Sequence, residues 1–293
     1  MESRSVAGTL YIVSTPIGNL EDITHRALRI LREVNMVACE DTRHTRKLLN
    51  HFAIDAATIS YHEHNERERA DELCAMLATG KNIALVSDAG TPIISDPGFR
   101  VINLAIEKGF AVVPIPGATA FVAALSASGL PSDQFFFAGF LPARRSARRT
   151  KLEAWRSIDT TLIFYEAPHR ISATLRDAAE ILGHRQAVVA RELTKLHEQF
   201  ARGRLDELAE GFSDGNQARG EIVLLIAGAQ LANDLDQGLG AVSMSQALAE
   251  RVSQLEREDL NEKAALRKAA RELGLKRDEA YRLMLAQKNR RSK

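Results

Sequence analysis

Short apolar runs alternate with amphipathic stretches along most of the chain. Thr9–Ser14, Ile83–Ser87 and Ala111–Ile115 are rich in β-branched and other apolar residues and stop at turn-forming residues, which is typical of buried strands. Phe99–Glu107 instead repeats apolar residues at helical spacing. The pattern predicts further strands at Met36–Cys39 and Thr58–Tyr61, and helices from an Asp22 cap to Glu33, at Thr42–Asn50 and at Glu66–Ala78. Because strands and helices alternate, we expect a mostly parallel sheet with helices on both faces.

A second α/β unit follows the turn-rich segment Pro114-Ile115-Pro116-Gly117, which interrupts the pattern as a domain junction would. Its predicted strands are Phe135–Phe140, Thr161–Tyr165, Ala187–Arg191 and Glu221–Ala227, and its predicted helices are Ala118–Ser128, Ile171–Leu182 and Leu205–Phe212. The basic stretch Arg144–Lys151 is interpreted as a loop. The sequence therefore predicts an α/β fold with two α/β domains, 1–117 and 118–230.

The pattern becomes all-helical after Asn233–Ala241, which we interpret as a linker because it holds two glycines and no apolar run. The predicted helices are Ser245–Glu258, Glu262–Leu273 with Asn261 as its cap and Gly274 after its end, and Glu279–Gln287 with Asp278 as its cap. The last two helices have the dimensions of a helix-turn-helix. We expect residues 240–293 to form a small helical domain.

Composition narrows the class of protein. The chain has 293 residues, 45 % hydrophobic and 26 % charged, and is long enough to fold without disulfides or metals. With only two cysteines, a reducing compartment is expected. The N-terminal residues lack the apolar core of a signal peptide, and apolar runs such as Ile222–Ala227 are far too short to span a membrane. We therefore expect a cytoplasmic protein with no membrane partner.

Positive charge is unevenly distributed although the whole chain carries only +1. From Lys263 to Lys293 there are 11 Lys and Arg against three acidic residues, a net charge of +8, and Arg144–Lys151 contains no acid. Two such segments favour a polyanionic partner over two merely solvated surfaces. The candidate RNA-binding residues are Arg144, Arg145, Arg148, Arg149, Arg267, Lys268, Arg271, Lys276 and Arg277.

Three turn-rich segments follow predicted strands: residues 14–24, 87–98 and 114–120. Ligands of open α/β sheets bind beyond the carboxyl ends of strands, so these segments are candidates for a ligand site. None has the G-x-G-x-x-G or Walker pattern, which argues against a dinucleotide or a nucleoside triphosphate. Each segment alone could be an ordinary tight connection whose Gly and Pro serve backbone geometry.

Six motifs occur in order along the chain: TPIGNLEDIT at 15–24, EDTR at 40–43, SDAGTPIISDPG at 87–98, PGATA at 116–120, FYEAPHR at 164–170 and RELTKLHE at 191–198. Together they resemble the bacterial small-subunit rRNA 2′-O-ribose methyltransferase I family, which lies among the tetrapyrrole-methylase-like (class III) methyltransferases. The resemblance covers nearly the whole chain. It implies a homodimer whose subunits each hold S-adenosylmethionine, folded, between two α/β domains. The implied substrate is a cytidine in the decoding region of 16S rRNA, in the 30S ribosomal subunit.

Candidate cofactor-binding residues lie in the matched motifs. Gly90, Thr91, Pro92 and Ile93 suit a backbone-lined slot, Asp88 suits the ribose or amino group, and small residues at Gly117, Ala118 and Thr119 permit close approach. Pro16, Gly18 and Tyr165 complete this set. The first loop has Ser14-Thr15-Pro16 where the tetrapyrrole branch has Gly-x-Gly-Pro-Gly, which weakens the case for a porphyrinoid substrate.

Methylation of a ribose hydroxyl requires in-line geometry and removal of a weakly acidic proton, so a base or cation near the oxygen helps. Lys195 with Glu192 is the first candidate pair and Asp41 with Arg43 the second; Glu40, Glu166, His169, Arg170 and Arg191 are further candidates. The alternative for each pair is a structural ion pair that braces a helix start.

No metal site is expected, because His62-Glu63-His64 lacks the spacing of ligands on one helix face. Two other functions stay open at this point. One is a class III methylase acting on a corrinoid, porphyrinoid or protein side chain, which would not need the basic helical domain. The other is a ligand-sensing, nucleic-acid-binding regulator, which would need a basic recognition helix, whereas Asp278–Gln287 has Arg282 as its one basic residue.

Overall fold

A computed structural model of the chain describes residues 7–212, 220–229, 248–256, 261–273, 280 and 284. The chain divides into two compact units, Met1–Gly228 and Ala229–Lys293, and each is described by itself. In the part of the chain that is described, no helix is long and apolar enough to cross a membrane.

The first sheet of the larger unit is parallel. Its strands are β1 (Thr9–Val13), β2 (Met36–Cys39), β3 (Thr58–Ser60), β4 (Ile83–Val86) and β5 (Ala111–Ile115), and within the described residues their order is β3-β2-β4-β1-β5. Its helices are α1 (His25–Glu33), α2 (Thr42–His51), α3 (Glu66–Ala78) and α4 (Phe99–Glu107). All four pairings are parallel, as the alternating pattern predicts.

Both faces of this sheet are covered by helices. On one face α1 and α2 pack through Leu31 and Leu49, and on the other α3 and α4 pack through Leu73 and Val101. Burial on both faces explains why β4 is apolar at every position. The expectation that Asp22 caps the first helix is wrong: Thr24 is the cap, since its hydroxyl accepts from Ala27 N at 3.1 Å.

The second sheet is mixed. Its strands are β6 (Phe135–Phe140), β7 (Thr161–Glu166), β8 (Gln186–Arg191), β9 (Gln199–Arg204) and β10 (Ile222–Ile226), in the order β6-β7-β10-β8-β9 among the described residues. β6 and β7 are parallel, and the remaining pairings are antiparallel. The edge strand β9 has a polar sequence, which is why the hydrophobic pattern does not predict it.

Helices α5 (Ala120–Ser128), α6 (Arg145–Ala154), α7 (Ile171–Leu182) and α8 (Leu205–Gly211) accompany this sheet. The interpretation of Arg144–Lys151 as a loop is wrong, because most of it forms the first two turns of α6. α6, α7 and α8 cover one face through a core that includes Leu152, Leu175 and Leu208. On the other face α5 packs together with Ile17, which comes from the loop after β1.

The described part of the smaller unit is helical. Residues 248–256 are helical, and α9 (Glu262–Glu272) begins at Asn261, whose side chain accepts from Ala264 N at 2.9 Å, as predicted. Leu248, Leu255 and Ala269 belong to its core. The predicted linker at 233–241, the turn at 274–277 and most of the predicted last helix lie outside the described residues.

Candidate functional site

The three turn-rich segments meet because β4, β1 and β5 are neighbours in the parallel sheet. Thr15 and Gly90 exchange backbone hydrogen bonds, Thr15 N to Gly90 O at 2.9 Å and Gly90 N to Thr15 O at 3.2 Å. The Thr15 hydroxyl also donates to Ser87 O at 3.1 Å. The loops after β1 and β4 are therefore joined through their main chains.

A row of hydroxyl groups connects these loops to the third. Ser14 Oγ lies 2.9 Å from Thr91 Oγ1, which lies 2.7 Å from Thr119 Oγ1 and 3.1 Å from the carbonyl oxygen of Ala118. Such a network fixes the three loops against each other. The close approach of Ser14 also explains the glycine at 117, since a Cβ at Gly117 would lie 2.7 Å from Ser14 Cβ.

A cavity of about 520 Å³ lies between these loops and the second sheet. That volume is within the range of roughly 300–1,000 Å³ typical of small-molecule sites. Five of the predicted cofactor-binding residues line it: Asp88, Gly90, Thr91, Thr119 and Tyr165. Six others lie in the same loops without lining the cavity: Pro16, Gly18, Pro92, Ile93, Gly117 and Ala118.

Four acidic residues line the cavity: Asp88, Asp96, Glu221 and Glu166, the last of which is paired with Arg170. Burial, followed by the negative charge of Glu40, raises the pKa of Asp96 to about 6. The nearby charges of Asp88 and Glu221 add to this rise. The wall formed by these groups is suited to a ligand that carries positive charge.

The loop after β4 contains two residues in the left-handed region, Ile93 with φ 77° and Ser95 with φ 68°. A β-branched residue in this region is a genuine outlier, and such strain concentrates at functional sites. Gly90 of the same loop also has a positive φ, 87°, and its Cα faces the Ile17 side chain, so both backbone conformation and space favour glycine there. The strained backbone thus supports the assignment of this loop to a binding site.

Sequence reasoning missed several lining residues of the second half, among them Phe140, Leu193, Gly220 and Glu221. The matched motifs could have indicated Ile17, Ser95 and Asp96, because all three residues lie in them. The pattern predicts Glu221 as the start of a strand, but it does not indicate that Gly220 and Glu221 approach the cavity, which they do through the pairing of β10 with β8.

Lys195 and Glu192 come together as predicted, and Glu221 joins them. Lys195 Nζ lies 2.9 Å from Glu192 Oε1 and 3.6 Å from Glu221 Oε2. Burial acts to lower the pKa of Lys195, but the hydrogen bond to Glu192 and the charge of Glu221 outweigh it and raise the pKa above its usual value. Lys195 is therefore a cation at neutral pH.

The Lys195 loop is tightly held. Glu192 and Thr194 have φ of 51° and 64°, and Thr194 N donates to Glu198 Oε2 at 2.7 Å. Gly18 permits close approach from the first loop, since a Cβ there would lie 2.6 Å from Lys195 Cγ. The role of Gly18 is thus to contact the Lys195 segment.

Asp41 and Arg43 form an ion pair at the start of α2. Arg43 Nη2 lies 2.8 Å from Asp41 Oδ2, and Asp41 Oδ1 accepts from Arg43 N at 2.8 Å as the helix cap. Hydrogen bonds from the side chain and backbone of Arg43 hold the pKa of Asp41 well below its usual value. Asp41 N donates to Asp88 Oδ1 at 3.2 Å, which links this helix start to the cavity. This arrangement matches the structural alternative for the Asp41 and Arg43 pair.

Glu166 is a buried residue that also lines the cavity. It accepts from the Thr174 hydroxyl at 2.6 Å and from Ala167 N at 2.8 Å, and its Oε1 lies 3.1 Å from Arg170 Nε. These bonds fix the start of α7 beside Tyr165. Burial raises the pKa of Tyr165 to about 12.

The arginines of α6 surround a buried carboxylate. Asp177 of α7 accepts from Arg145 Nε at 3.0 Å, Arg148 Nη2 at 2.6 Å and Arg149 Nη1 at 3.2 Å. Arg148 is only 4 % exposed, so its guanidinium is not available to an external phosphate. Arg144 and Arg145 are exposed and Arg149 is partly exposed.

Three predicted RNA-binding residues lie on α9. Arg267, Lys268 and Arg271 are exposed, as is Lys263, and the spacing of 263, 267 and 271 places three cations along one face of the helix. Ala265 and Ala269 occupy the opposite, buried face. Lys276 and Arg277 lie outside the described residues.

In the stretches of the chain that the structure describes, no group of three or more His, Cys, Asp or Glu side chains is arranged to hold a metal ion. The His62 main chain instead hydrogen-bonds with Asn65, through His62 N to Asn65 Oδ1 at 2.9 Å.

Comparison with known proteins places this site in a family. The model of the tetrapyrrole (corrin/porphyrin) methylases matches residues 9–209. A protein of Pseudomonas aeruginosa named ribosomal RNA small subunit methyltransferase I is 52 % identical over 240 residues, covering 81 % of this chain and 85 % of that protein. A protein of the same name from Vibrio cholerae is 53 % identical, covering 76 % of this chain and 78 % of that protein.

Solved structures share the fold at lower identity. Diphthine synthase superposes with a TM-score of 0.60 at 18 % identity, covering 75 % of this chain and 90 % of that one. Uroporphyrin-III C-methyltransferase from Thermus thermophilus, complexed with S-adenyl homocysteine, gives 0.53 at 19 % identity, covering 77 % and 100 %. On the matches to the family model and to its close relatives, this chain is a methyltransferase and belongs to the ribosomal RNA small subunit methyltransferase I family of the tetrapyrrole methylases.

Proposed function

We propose that the protein transfers the methyl group of S-adenosylmethionine to the ribose 2′-hydroxyl of a cytidine in the decoding region of 16S rRNA. The observation that carries this proposal is the position of Lys195, a cation held between Glu192 and Glu221, the second of which lines the cavity. The relatives at about 50 % identity bear the name of ribosomal RNA small subunit methyltransferases, which supports rRNA as the substrate.

The cavity fits the cofactor in size and in chemistry. S-adenosylmethionine supplies a methyl group on a positively charged sulfonium, and it also carries an ammonium and a nucleoside. The carboxylates of Asp88, Asp96 and Glu221 complement the positive charges. The hydroxyls of Thr91 and Thr119, with the main chain around Gly90, offer hydrogen bonds to polar groups.

The residues that act on the reacting hydroxyl are Lys195, Glu192 and Glu221. A cation beside the 2′-oxygen stabilises the negative charge that develops as the proton leaves. Since the pKa of Lys195 is raised, the ammonium acts as this cation and not as the base. Glu192 positions the ammonium, and the exposed carboxylate of Glu221, 3.6 Å from it, is placed to accept the proton. Orientation of the hydroxyl toward the methyl group supplies much of the remaining rate.

RNA is captured by basic surfaces outside the cavity. The exposed cations of α9 and the accessible arginines at the start of α6 would contact phosphates of the 30S subunit. Arg148 is not part of this set, because it is buried against Asp177. We further propose that the enzyme works as a homodimer in the cytoplasm, where ribosomal subunits are assembled. The two α/β domains, 1–117 and 118–230, and the helical domain at 240–293 remain our proposed boundaries.

Both alternative functions have less support. Uroporphyrin-III C-methyltransferase shares only the fold with this chain, at 19 % sequence identity. The two rRNA methyltransferases are more than 50 % identical to it. A regulator that merely senses a ligand would have no need of a lysine held between two carboxylates, one of which lines the cavity.

The test is methylation of 30S subunits from a bacterial strain that lacks the corresponding gene. We expect 2′-O-methylcytidine in the decoding region by mass spectrometry of nuclease fragments. Lys195→Ala and Glu192→Gln should lower turnover about 100-fold, with cofactor affinity by calorimetry nearly unchanged. Lys108→Ala, at an exposed lysine after α4, is the matched control.

Two results would count against the proposal. Transfer of the methyl group to a base, or no transfer to rRNA, would reject the substrate. Near-wild-type turnover in both Lys195→Ala and Glu192→Gln would return these residues to a structural role and move the catalytic assignment to Asp41.

A further inference from the structure

The edge strand β6 contains a bulge beside the cavity. Phe137 pairs with Ile163 and Phe140 pairs with Tyr165, so three steps along β6 match two along β7. Gly139, inside the bulge, has φ 62° in the left-handed region. Ser95 of the strained loop after β4 lies against Gly139, since a Cβ there would be 3.2 Å from Ser95 Oγ.

The extra residue reverses the side of the sheet that Phe140 faces. Side chains alternate along a strand, and Phe136 packs toward Trp155 in the core under α6, whereas Phe137 packs toward α5. Without a bulge Phe140 would share the face of Phe136. With it, the Phe140 ring meets Tyr165 at 5.5 Å on the cavity side.

Phe140 is both exposed and firmly supported. Its side chain lines the cavity, yet 57 % of it is open to solvent. Behind it stand Tyr165, then Phe137 at 5.0 Å from Tyr165, then Phe121 stacked on Phe137 at 4.4 Å. Exposing a large apolar side chain to water is unfavourable. A ring that is held rigidly at a cavity mouth therefore indicates a ligand that covers it.

We propose that Phe140 is the platform on which the base of the target nucleotide stacks while its ribose is methylated. The inference rests on the proposed function, and it assigns the contact that holds the substrate base. A base taken out of its RNA stack loses stacking energy, and an aromatic side chain restores part of it. Phe140 and Glu221, whose carboxylate lies 3.6 Å from Lys195 Nζ, both line the cavity, so a base stacked on the ring would bring its ribose to the cavity that the Lys195 pair adjoins.

The exposure of Phe140 favours the substrate base over the cofactor adenine. A small ligand is usually enclosed over 70–90 % or more of its surface, as the buried walls of this cavity would do. A base on a folded RNA instead arrives from solvent and meets the rim. Phe140 lies on the edge strand of the second sheet, where a macromolecule has access.

The experiment compares Phe140→Leu with Phe135→Leu. Phe135 is the matched control: it lies on the same strand, is 44 % exposed, and touches the same aromatic group through Phe121 at 5.9 Å, but it does not line the cavity. We expect Phe140→Leu to lower kcat/KM for 30S subunits about tenfold or more, with the dissociation constant of S-adenosylmethionine within twofold of wild type. Phe140→Trp, which keeps a ring, should stay near wild type, as should Phe135→Leu.

Three outcomes would overturn the platform. The first is an unchanged kcat/KM in Phe140→Leu. The second is a loss of kcat/KM in Phe140→Trp equal to that in Phe140→Leu. The third is weakened cofactor binding in Phe140→Leu, which would assign the ring to adenine. Melting temperatures of the two leucine variants show whether a loss is due to unfolding. If the wild-type enzyme itself does not methylate 30S subunits, the proposed function fails; if it does and Phe140→Leu is unimpaired, only the platform fails.

Discussion

The carboxylate of Glu192 occupies the space beside Gly220 that any larger residue at 220 would need. A Cβ at Gly220 would overlap Glu192 Oε1, and Gly220 has φ 78°. The adjoining backbone bond, Glu192 N to Glu221 O at 3.1 Å, keeps β8 and β10 together at this point. Gly220 therefore sets the position of Glu192, and through it the position of Lys195.

Gly220→Ala is expected to lower turnover more than it lowers stability. The added methyl would push the Glu192 carboxylate away from Lys195, so kcat should fall at least tenfold. Gly129→Ala is the control, because Gly129 has a similar φ of 81° in the left-handed region but no atom within 4 Å of its would-be Cβ. Both variants should lose about 1 kcal/mol of stability from the left-handed backbone. Equal turnover in the two variants would remove Gly220 from the active site.

Asp96 should make cofactor binding depend on pH. Its pKa is raised to about 6 in the folded protein from the 3.8 of an unperturbed aspartate, so between these values the folded protein holds a proton that the unfolded chain has lost. The stability that this group contributes is therefore greatest below about pH 4 and falls as pH rises to 6. A cationic ligand prefers the ionised carboxylate, so affinity for S-adenosylmethionine should rise between pH 5 and 7.

Asp96→Asn tests both halves of this expectation. The variant should be more stable than wild type at pH 7 by on the order of 1 kcal/mol, with the difference shrinking toward pH 4. Its cofactor affinity should be flat across the same range. Asp133→Asn, at an exposed aspartate, serves as the control. A pH profile of affinity that is identical in wild type and Asp96→Asn would contradict the assignment.

Asp177→Asn should be strongly destabilising. Asp177 is 1 % exposed and binds three arginines, and although burial acts to raise its pKa, the hydrogen bonds from Arg145, Arg148 and Arg149 hold the pKa below its usual value. Removing the charge leaves Arg148 buried without its counterion, at a cost of about 3–5 kcal/mol. Glu180→Gln, at a half-exposed partner of the same cluster, should cost less than about 1 kcal/mol. Urea unfolding measures both, and similar losses would show that the cluster is a surface feature.

Binding to 30S subunits should weaken steeply with salt, and α9 should carry part of that dependence. Replacing Arg267, Lys268 and Arg271 by Gln should reduce the slope of log K against log salt by about two, as should removal of residues 240–293. Replacing Arg144, Arg145 and Arg149 should flatten it further. Replacement of Arg67, Arg100 and Lys108, exposed cations on α3, on α4 and directly after α4, is the charge-matched control. If α9 serves dimerisation instead, the slope will stay unchanged in the truncated protein.

Local pattern was sufficient for much of the fold and for five of the residues that line the cavity. Glu66–Ala78, Phe99–Glu107 and Ala111–Ile115 have the bounds that periodicity predicted, because each has a clear apolar face and a turn residue at its end. The convergence of the loops after β1, β4 and β5 also followed from the alternation of strands and helices, since parallel strands bring their carboxyl ends to one edge. The motif RELTKLHE singled out Lys195 and Glu192 before their contact was known.

The tertiary structure alone decided what depends on distant partners. The polar strand β9 forms because β8 supplies its ladder, and Arg148 is buried because Asp177, 29 residues away, neutralises it. Glu221 and Gly220 reach Lys195 through an antiparallel pairing that no local pattern encodes. The bulge that turns Phe140 toward the cavity is a matter of register between two strands. Sequence periodicity reports which face of an element is apolar, but pairing, counterions and register are set only when separate elements pack together.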